Sequence, residues 1–368
     1  MMGSGAQDAT LVDTRSGGGT RRRFPRLAWM RYGDPITPSQ LRSARGKFRA
    51  AILQPWEVEA ATQLKQADPD CVVLAYQCAS SVRDYEPGPV YSSMLNPQLA
   101  EELGTFATRG GRRVEWDGYP GHYQQDVTNP VYRAAASTGA LARVMGTSFD
   151  GIYADNDVFD DYYQLQLPLD QIADAGDLRH GLTELLHDLG PRLAAQRKIL
   201  VPNIAESRRL RGRWEEHSHY GGGVEECWLA WGTNPDERLG PEDIKAQARQ
   251  LRAPGLSIMR TPGTGDAEDP YVQLALAAAW VFAPSSDVAV TATAHDGYSV
   301  IPTHPAADID LGPARGPLRH SGNGVFTRRL QHGYAAINVG TEQASVGPRD
   351  ARRVLAPFTG YLWGAPCW

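Results

Sequence analysis

Short apolar runs alternate with longer amphipathic stretches along most of this chain. Eight of the runs have the length and the β-branched or aromatic bias of buried strands, at residues 24–32, 48–53, 71–77, 149–155, 199–203, 223–230, 256–260 and 287–292. Stretches with helical spacing lie between them, at residues 132–145, 180–197, 244–251 and 271–281. Strands that alternate with helices build parallel sheets, so the pattern predicts an α/β fold, a (β/α)8 TIM barrel.

Three features interrupt this rhythm. The connection at residues 79–148 is unusually long and predicts a lid or rim structure. Pro191 should kink or split the helix that contains it. Beyond the eighth run the pattern becomes alternating and is punctuated by Gly and Pro, at residues 324–330, 333–339 and 353–358. This change predicts a small antiparallel β element at the C-terminus.

The N-terminal segment is rich in Gly and Ser and predicts a disordered tail. It carries basic residues but no apolar segment after them, so it is not a signal peptide as it stands. We therefore expect a cytoplasmic protein, or a secreted one if a leader was removed. The expected organisation is a tail at residues 1–22, the barrel at 23–310 and the C-terminal β element, packed on the barrel, at 311–368.

Composition narrows the class of protein. The chain has 368 residues, of which 42% are hydrophobic and 21% charged, and its formal net charge is -5. Nucleic-acid-binding proteins usually show a basic excess, so we expect no nucleic-acid partner. No stretch approaches the roughly 20 apolar residues of a membrane span, so we expect no membrane partner either.

The four cysteines form no CxxC pair, which argues against a structural zinc site. Cys71, Cys78 and Cys227 fall within apolar runs and are expected to be buried free thiols. Cys367 lies next to the C-terminus and could pair with another cysteine, a choice that the sequence leaves open.

Candidate catalytic groups come from the strand ends, because barrel enzymes place their chemistry at the C-terminal ends of the strands. Asp155 directly follows the apolar residues of the fourth run, and Glu225 and Glu226 lie in the sixth. Two acids on different strands of one barrel mouth suit glycosidic cleavage, in which one carboxyl group protonates the leaving oxygen and the other attacks the anomeric carbon or activates water. Alternation sends one of the adjacent glutamates inward and the other toward the helices, and the pattern does not choose between them.

Other polar groups near strand ends have competing interpretations. Asp157, Asp160 and Asp161 are typical of helix caps or turns, and for Asp157 that interpretation is favoured over substrate binding. His217 and His219 have the HxH spacing of some metal-dependent barrel hydrolases, but they lie in a charged stretch before the sixth strand and are expected in a solvated loop. We expect no metal and no cofactor.

The aromatic content, nine Trp and 15 Tyr, suits carbohydrate binding because the apolar faces of pyranose rings stack on aromatic rings. The aromatic residues at or just after strand ends are candidates to line the cleft, although some belong to the core: Trp29, Tyr32, Tyr76, Trp116, Tyr119, Trp228 and Trp231. Polar candidates for substrate binding are Asp34, Asp117, Asp157, Asn203 and Arg260.

Four segments taken in order resemble a known family: FDGIYADND, VPN, GGGVEECWLAWG and GVFTRRLQHGYAAINVG. This succession is similar to hypothetical glycosyl hydrolase family 15 and, more distantly, to endo-α-galactosaminidase-like barrels. The resemblance covers residues 24–339 and implies a (β/α)8 barrel, a carbohydrate substrate and acids on the fourth and sixth strands.

Residue by residue, the resemblance matches Asp155 to the fourth-strand acid and Glu226, with Glu225 as the fallback, to the sixth-strand acid. Acids on these strands resemble the clan of α-galactosidases and α-glucosidases, which implies a nucleophilic Asp155, a proton-donating glutamate, an α-linkage and retention. The leading hypothesis is thus a metal-independent glycoside hydrolase. The alternatives are a non-catalytic carbohydrate-binding barrel and a metal-dependent amidohydrolase-like barrel.

Overall fold

The first barrel strands are short and almost fully buried. This computed structural model describes residues 25–251, 253–295, 297–348 and 352–364. The described chain begins with β1 (Arg26–Arg31), α1 (Pro38–Ala44), β2 (Phe48–Leu53), α2 (Val58–Ala67) and β3 (Val72–Cys78). Helix α1 begins at a capping box, in which the Thr37 hydroxyl accepts from the Gln40 backbone and the Gln40 side chain accepts from the Thr37 backbone.

The long connection after β3 folds into a structured rim. It contains β4 (Ser81–Arg83), α3 (Pro97–Leu103), β5 (Thr108–Arg109), β6 (Arg112–Arg113), β7 (His122–Gln124) and α4 (Pro130–Val144), and it leads into β8 (Gly151–Asp157). Strand β4 pairs with β7 and β5 with β6, both antiparallel. Helix α4 begins where the Asn129 side chain accepts from the Val131 backbone N–H and Pro130 follows.

The second half of the barrel repeats the strand-helix unit. Its elements are α5 (Ala175–Ala195), β9 (Ile199–Ile204), α6 (Arg213–His217), β10 (Gly222–Glu225), α7 (Pro241–Gln250), β11 (Leu256–Pro262), α8 (Pro270–Phe282) and β12 (Val288–Thr293). Pro191 lies inside α5, which continues across it as one helix. Of the two outcomes expected at Pro191, a kink or a split, the split is therefore wrong.

Eight parallel strands close into one barrel in the spatial order β1-β12-β11-β10-β9-β8-β3-β2. The predicted (β/α)8 fold is confirmed, with β8 as the fourth and β10 as the sixth barrel strand along the chain. Because all eight strands run in the same direction, their C-terminal ends meet at one mouth of the barrel.

Two antiparallel sheets follow the barrel. They are formed by β13 (Arg319–His320), β14 (Val325–Arg329), β15 (Gly333–Asn338), β16 (Ala344–Val346), β17 (Arg353–Leu355) and β18 (Thr359–Gly364). The sheet β13-β14-β15-β18 packs on α8. Gly360 of β18 lies so close to this helix that a Cβ at Gly360 would be only 2.7 Å from Ala277 Cβ. The antiparallel element predicted after the barrel is therefore present.

Cys71 and Cys78 are buried free thiols as expected, whereas the free thiol Cys227 is only partly buried. The predicted tail at residues 1–22 and Cys367 lie outside the described residues. None of the helices in the described ranges has the length and hydrophobicity needed to cross a membrane.

Candidate active site

Two carboxyl groups meet at the mouth of the barrel. Asp155 lies near the end of β8, where it pairs in register with Cys78 of β3, and Glu226 directly follows β10. Asn203 of β9, the strand between them, reaches both groups: its Nδ2 donates to Asp155 Oδ1 at 2.9 Å and to Glu226 Oε2 at 2.7 Å. Since both bonds start at one nitrogen, Asp155 Oδ1 and Glu226 Oε2 lie within about 6 Å of each other.

Four tyrosine hydroxyls surround the pair. Tyr76 Oη donates to Asp155 Oδ2 at 2.7 Å, and Tyr32 Oη donates to Glu226 Oε1 at 2.9 Å. Tyr153 Oη lies 3.0 Å from Asp155 Oδ1 and 3.3 Å from Glu226 Oε1, so it touches both acids. Tyr298, which follows β12, contributes a fourth hydroxyl 3.3 Å from Glu226 Oε1.

The tyrosine rings also pack against one another. The centroid of the Tyr32 ring lies 4.1 Å from that of Tyr298 and 4.6 Å from that of Tyr76. Burial raises the pKa of Tyr32, Tyr76, Tyr153 and Tyr298 well above its ordinary value. The four hydroxyls therefore keep their protons at neutral pH and can serve as hydrogen-bond donors.

Hydrogen-bond donors surround both acids. Burial raises the pKa of Glu226, and the adjacent Asp155 raises it further, against opposing contributions from Arg260, Tyr32 and Asn203. Asp155 faces four donors, namely the hydroxyls of Tyr76 and Tyr153, the Asn203 amide and the backbone N–H of Asn156. Donors on every side suit an anion, because a carboxylate can only accept hydrogen bonds.

Two arginines support this arrangement from behind. Arg83 Nη2 donates to Tyr76 Oη at 2.7 Å, which fixes the hydroxyl that contacts Asp155. Arg260 Nη1 donates to the backbone carbonyl of Glu226 at 3.1 Å, and its other bonds go to Thr293 and to the Ala294 carbonyl. Arg260 is buried, and its hydrogen bond to the Glu226 carbonyl supports the position of that residue. Its contact with substrate stays a prediction.

Glu225 and Glu226 point in opposite directions, as strand alternation requires. Glu225 is buried, its Oε1 accepts from the Cys227 backbone N–H at 3.2 Å, and it lies toward Gln247 of α7 and Arg208. Burial raises the pKa of Glu225 to about 7. The structure therefore brings Glu226, and not the fallback Glu225, to Asp155.

The side chain of Asp157 neither caps a helix nor points into the barrel mouth, which corrects both interpretations of it. Its pairing register with β9 shifts between Ala154 and Asp157, and Asn156 adopts a left-handed backbone with φ 67. This irregularity breaks the alternation that would have put Asp155 and Asp157 on one face. Asp157 instead turns to the helix layer, fully buried.

In that layer Asp157 forms a buried ionic cluster. Its Oδ1 accepts from Arg213 Nη2 at 2.8 Å and its Oδ2 lies 2.5 Å from His217 Nδ1. Burial acts to raise the pKa of Asp157, but His217 and Arg213 outweigh it and hold that pKa below its ordinary value. The expectation of a solvated HxH loop is wrong for His217, which is buried in α6 and also contacts Thr183, and holds for His219, which is exposed.

Of the aromatic candidates, the structure brings Tyr32 and Tyr76 to the carboxyl pair. Trp29 and Trp228 are wholly buried core residues, so they cannot line the cleft. Trp116 is also buried, with its ring 3.6 Å from that of Tyr163, whose hydroxyl contacts the side chain of Asn156.

The remaining candidates lie around the mouth without touching the pair. Tyr119 packs edge-on against Trp116, and Trp231 is 41% exposed in the loop after β10. Asp34 and Asp117 are exposed; Asp34 accepts from Ser299 at 3.4 Å, and the Asp117 backbone N–H donates to the Tyr163 carbonyl.

Sequence reasoning missed Tyr153, Tyr298 and Arg83. The signal for Tyr153 was available, because a residue two positions before Asp155 on a strand shares its face. Tyr298 lies in a loop and Arg83 in the long rim connection, where no periodicity marks a side chain as part of the site. Within the described ranges, no three His, Cys, Asp or Glu side chains are grouped as a metal site would require.

The family described as "Hypothetical glycosyl hydrolase family 15" matches residues 65–334, which is most of the chain and includes both carboxyl groups. The search for relatives among curated proteins returned no match.

Similar solved structures include the noncanonic maltogenic α-amylase AmyB from Thermotoga neapolitana, with 8% identity and a TM-score of 0.50 over 92% of this chain and 96% of that one. This likeness is one of fold. The α-amylase from Geobacillus thermoleovorans, complexed with acarbose, has 10% identity and a TM-score of 0.47, covering 93% of this chain and 96% of that one. Ega3 from Aspergillus fumigatus, in complex with galactosamine, has 12% identity and a TM-score of 0.47, covering 74% and 91%.

Proposed function

Because this chain belongs to hypothetical glycosyl hydrolase family 15 and is a glycoside hydrolase, we propose that Asp155 and Glu226 are its catalytic carboxyl groups. The observation that carries this proposal is the contact of both groups with the single amide nitrogen of Asn203, at 2.9 and 2.7 Å. A sugar whose glycosidic bond lies over Asn203 would have one acid within reach on each side of that bond.

The spacing of the acids supports a retaining mechanism. In retaining glycosidases the carboxyl groups are about 5–5.5 Å apart, whereas inverting enzymes need about 6.5–9.5 Å to admit a water. The shared contacts with Asn203 hold Asp155 Oδ1 and Glu226 Oε2 within about 6 Å of each other, which favours the shorter separation of retaining enzymes.

In the first step Asp155 attacks the anomeric carbon while the bond from that carbon to the leaving oxygen breaks. Glu226 gives its proton to the leaving oxygen, so the step produces an alcohol and a glycosyl ester on Asp155. In the second step the Glu226 carboxylate takes a proton from water, and the water oxygen attacks the anomeric carbon. Asp155 leaves as a carboxylate and Glu226 regains its proton.

The surroundings of the two acids fit these roles. Asp155 accepts from four donors, which suits a carboxylate that must be anionic to attack. Burial raises the pKa of Glu226, which is the direction that favours a proton donor. Tyr153, in contact with both acids, can donate to Asp155 and accept from protonated Glu226.

We infer an α-linked carbohydrate as substrate. The acids lie on the fourth and sixth barrel strands, an arrangement that resembles the clan of α-galactosidases and α-glucosidases. The tyrosine rings around the acids offer apolar faces for a pyranose ring and hydroxyls for its oxygens.

A panel of 4-nitrophenyl α- and β-glycosides tests this function. Release of nitrophenol identifies the accepted sugar, and proton NMR during the first minutes identifies the anomer formed first. We expect an α-glycoside to be cleaved and the α-anomer to appear before mutarotation produces the β-anomer. A β-anomer formed first from an α-glycoside would contradict retention, and cleavage of β-glycosides alone would contradict the α-linkage.

A further inference from the structure

Two exposed aromatic rings lie side by side near the candidate active site. Tyr162, in the loop after β8, is 37% exposed and Trp231, in the loop after β10, is 41% exposed. Their ring centroids are 6.1 Å apart and their planes meet at 57°. Together they form an open apolar corner, called here the aromatic shelf.

Buried polar residues hold the shelf in place. Glu206, after β9, adopts a left-handed backbone with φ 48, and its Oε2 accepts from the Tyr162 hydroxyl. Its Oε1 accepts from Arg208 at 3.0 Å, and the Arg208 guanidinium carbon lies 5.8 Å from the centroid of the Trp231 ring. The Trp231 backbone N–H also donates to the Glu237 carbonyl at 2.8 Å. These contacts fix both rings, which lowers the entropy lost when a ligand stacks on them.

The shelf is connected to the carboxyl pair on both sides. Trp231 follows Glu226 by five residues in one loop. Tyr162 precedes Tyr163, whose hydroxyl contacts the side chain of Asn156, the neighbour of Asp155. Since β8, β9 and β10 are adjacent in the barrel, the three loops that build the shelf rise from adjoining strand ends next to the acids.

We propose that the aromatic shelf is a subsite that stacks a second sugar ring of the substrate, so that the enzyme acts on an oligo- or polysaccharide chain. The proposal rests on the proposed function, since it places the shelf beside a glycosidic bond held at Asp155 and Glu226. The apolar face of a pyranose stacks on an aromatic ring, and Trp231 has the largest such face at this edge of the mouth. A substrate with a single ring would leave this surface uncovered.

The experiment measures how binding depends on chain length. The probe is an array of α- and β-linked gluco-, galacto- and amino-sugar oligosaccharides with one to six rings. It is applied to Glu226→Gln protein and to the same protein carrying Trp231→Ala, so that hydrolysis does not deplete the array. We expect the second ring to increase affinity about tenfold, a gain of roughly 1.4 kcal/mol, and Trp231→Ala to abolish that gain while one-ring binding is retained.

Two matched variants separate stacking from general damage. Trp363, on β18 of the C-terminal sheet, is 44% exposed, so Trp363→Ala removes an equally exposed tryptophan from another part of the molecule. It should keep the full gain from the second ring. Tyr162→Phe keeps the ring but removes the hydroxyl that reaches Glu206, and it should keep most of the gain.

Three results would overturn the proposal. The second ring could increase affinity equally with and without Trp231→Ala, affinity could fail to rise beyond one ring, or the protein could bind no member of the array. Failure of the proposed function looks different. If Glu226→Gln and Asp155→Asn still hydrolyse substrate, the assignment of the acids is wrong, but the dependence of binding on chain length still decides the role of Trp231.

Discussion

Tyr32 Oη, just beyond the end of the first barrel strand, donates a hydrogen bond to Glu226 Oε1, just beyond the end of the sixth, at 2.9 Å across the barrel mouth. A hydrogen bond to the ionised carboxylate favours that form, so Tyr32 partly offsets the rise in the pKa of Glu226 that burial and Asp155 cause. Tyr32, on another strand of the barrel, thus lowers the pKa of the residue that supplies the proton in our proposal.

We predict that Tyr32→Phe extends activity to higher pH. Without the hydroxyl the ionised form of Glu226 loses a donor, so its pKa rises further and the proton is retained to a higher pH. The alkaline limb of kcat/KM should move upward by about one pH unit, the size expected for one hydrogen bond. A pH-rate profile on an activated aryl glycoside measures the shift.

The control for this experiment is Tyr334→Phe in the C-terminal sheet, which should leave the profile unchanged. An alkaline limb that stays in place, or moves to lower pH, in Tyr32→Phe would show that Glu226 is not the group whose protonation limits the rate.

Glu225 gives a prediction about stability. Burial raises the pKa of Glu225 from 4.5 to about 7, so between these values the folded protein holds a proton that the unfolded chain has lost. The free energy of unfolding should therefore fall as pH rises from about 4.5 to 7, by a few kcal/mol from this group. Glu225→Gln has no proton to lose and should remove that part of the fall.

Urea unfolding at pH 5 and pH 8 measures this difference. Glu215→Gln, at an exposed position on α6, is the control and should behave like the wild type. Equal pH dependence in Glu225→Gln and wild type would mean that Glu225 is ionised in the folded protein at pH 5.

Asp157 should be a stability residue. Asp157→Ala leaves Arg213 buried without its carboxylate partner, and breaking a buried pair typically costs about 3–5 kcal/mol. Asp188→Ala removes an exposed partner of Arg133 and should cost less than about 1 kcal/mol. Thermal and urea unfolding compare the two, and an equal, small loss in both would contradict the structural role of the cluster.

The barrel could be predicted from sequence because its strands are buried on both sides. Runs such as residues 48–53 and 71–77 are apolar except for Arg49 and Gln77, and the structure places β2 and β3 on them. Asp155 could be found for a related reason, since it is the first acid after the apolar part of β8.

Three features could not be predicted, each for a physical reason. The irregularity at Asn156 reverses the side of the strand on which Asp157 lies, and alternation carries no sign of it. His217 is buried because Asp157 and Thr183 bond to it, although its neighbours Glu215 and Glu216 are exposed.

The position of Tyr298 is the third feature that the sequence could not predict. It reaches Glu226 through barrel closure, which brings the loop after β12 beside the ends of β1 and β11, and residues so distant in sequence give no local pattern.

The central claim is that Asp155 and Glu226 carry out the hydrolysis in different roles. Asp155→Asn and Glu226→Gln keep the side-chain shape and remove the charge or the transferable proton, so they test chemistry rather than packing. Substrates with different leaving groups distinguish the nucleophile from the proton donor, because an activated aryl group departs without a proton whereas the natural alcohol needs one.

The most direct measurement is kcat/KM of both variants on an activated aryl glycoside and on a natural glycoside of the same sugar. We expect Asp155→Asn to lose about a thousandfold or more on both substrates, and Glu226→Gln to lose that much on the natural glycoside but at least about tenfold less on the aryl one. Equal losses on both substrates for Glu226→Gln, or full activity in either variant, would contradict the account.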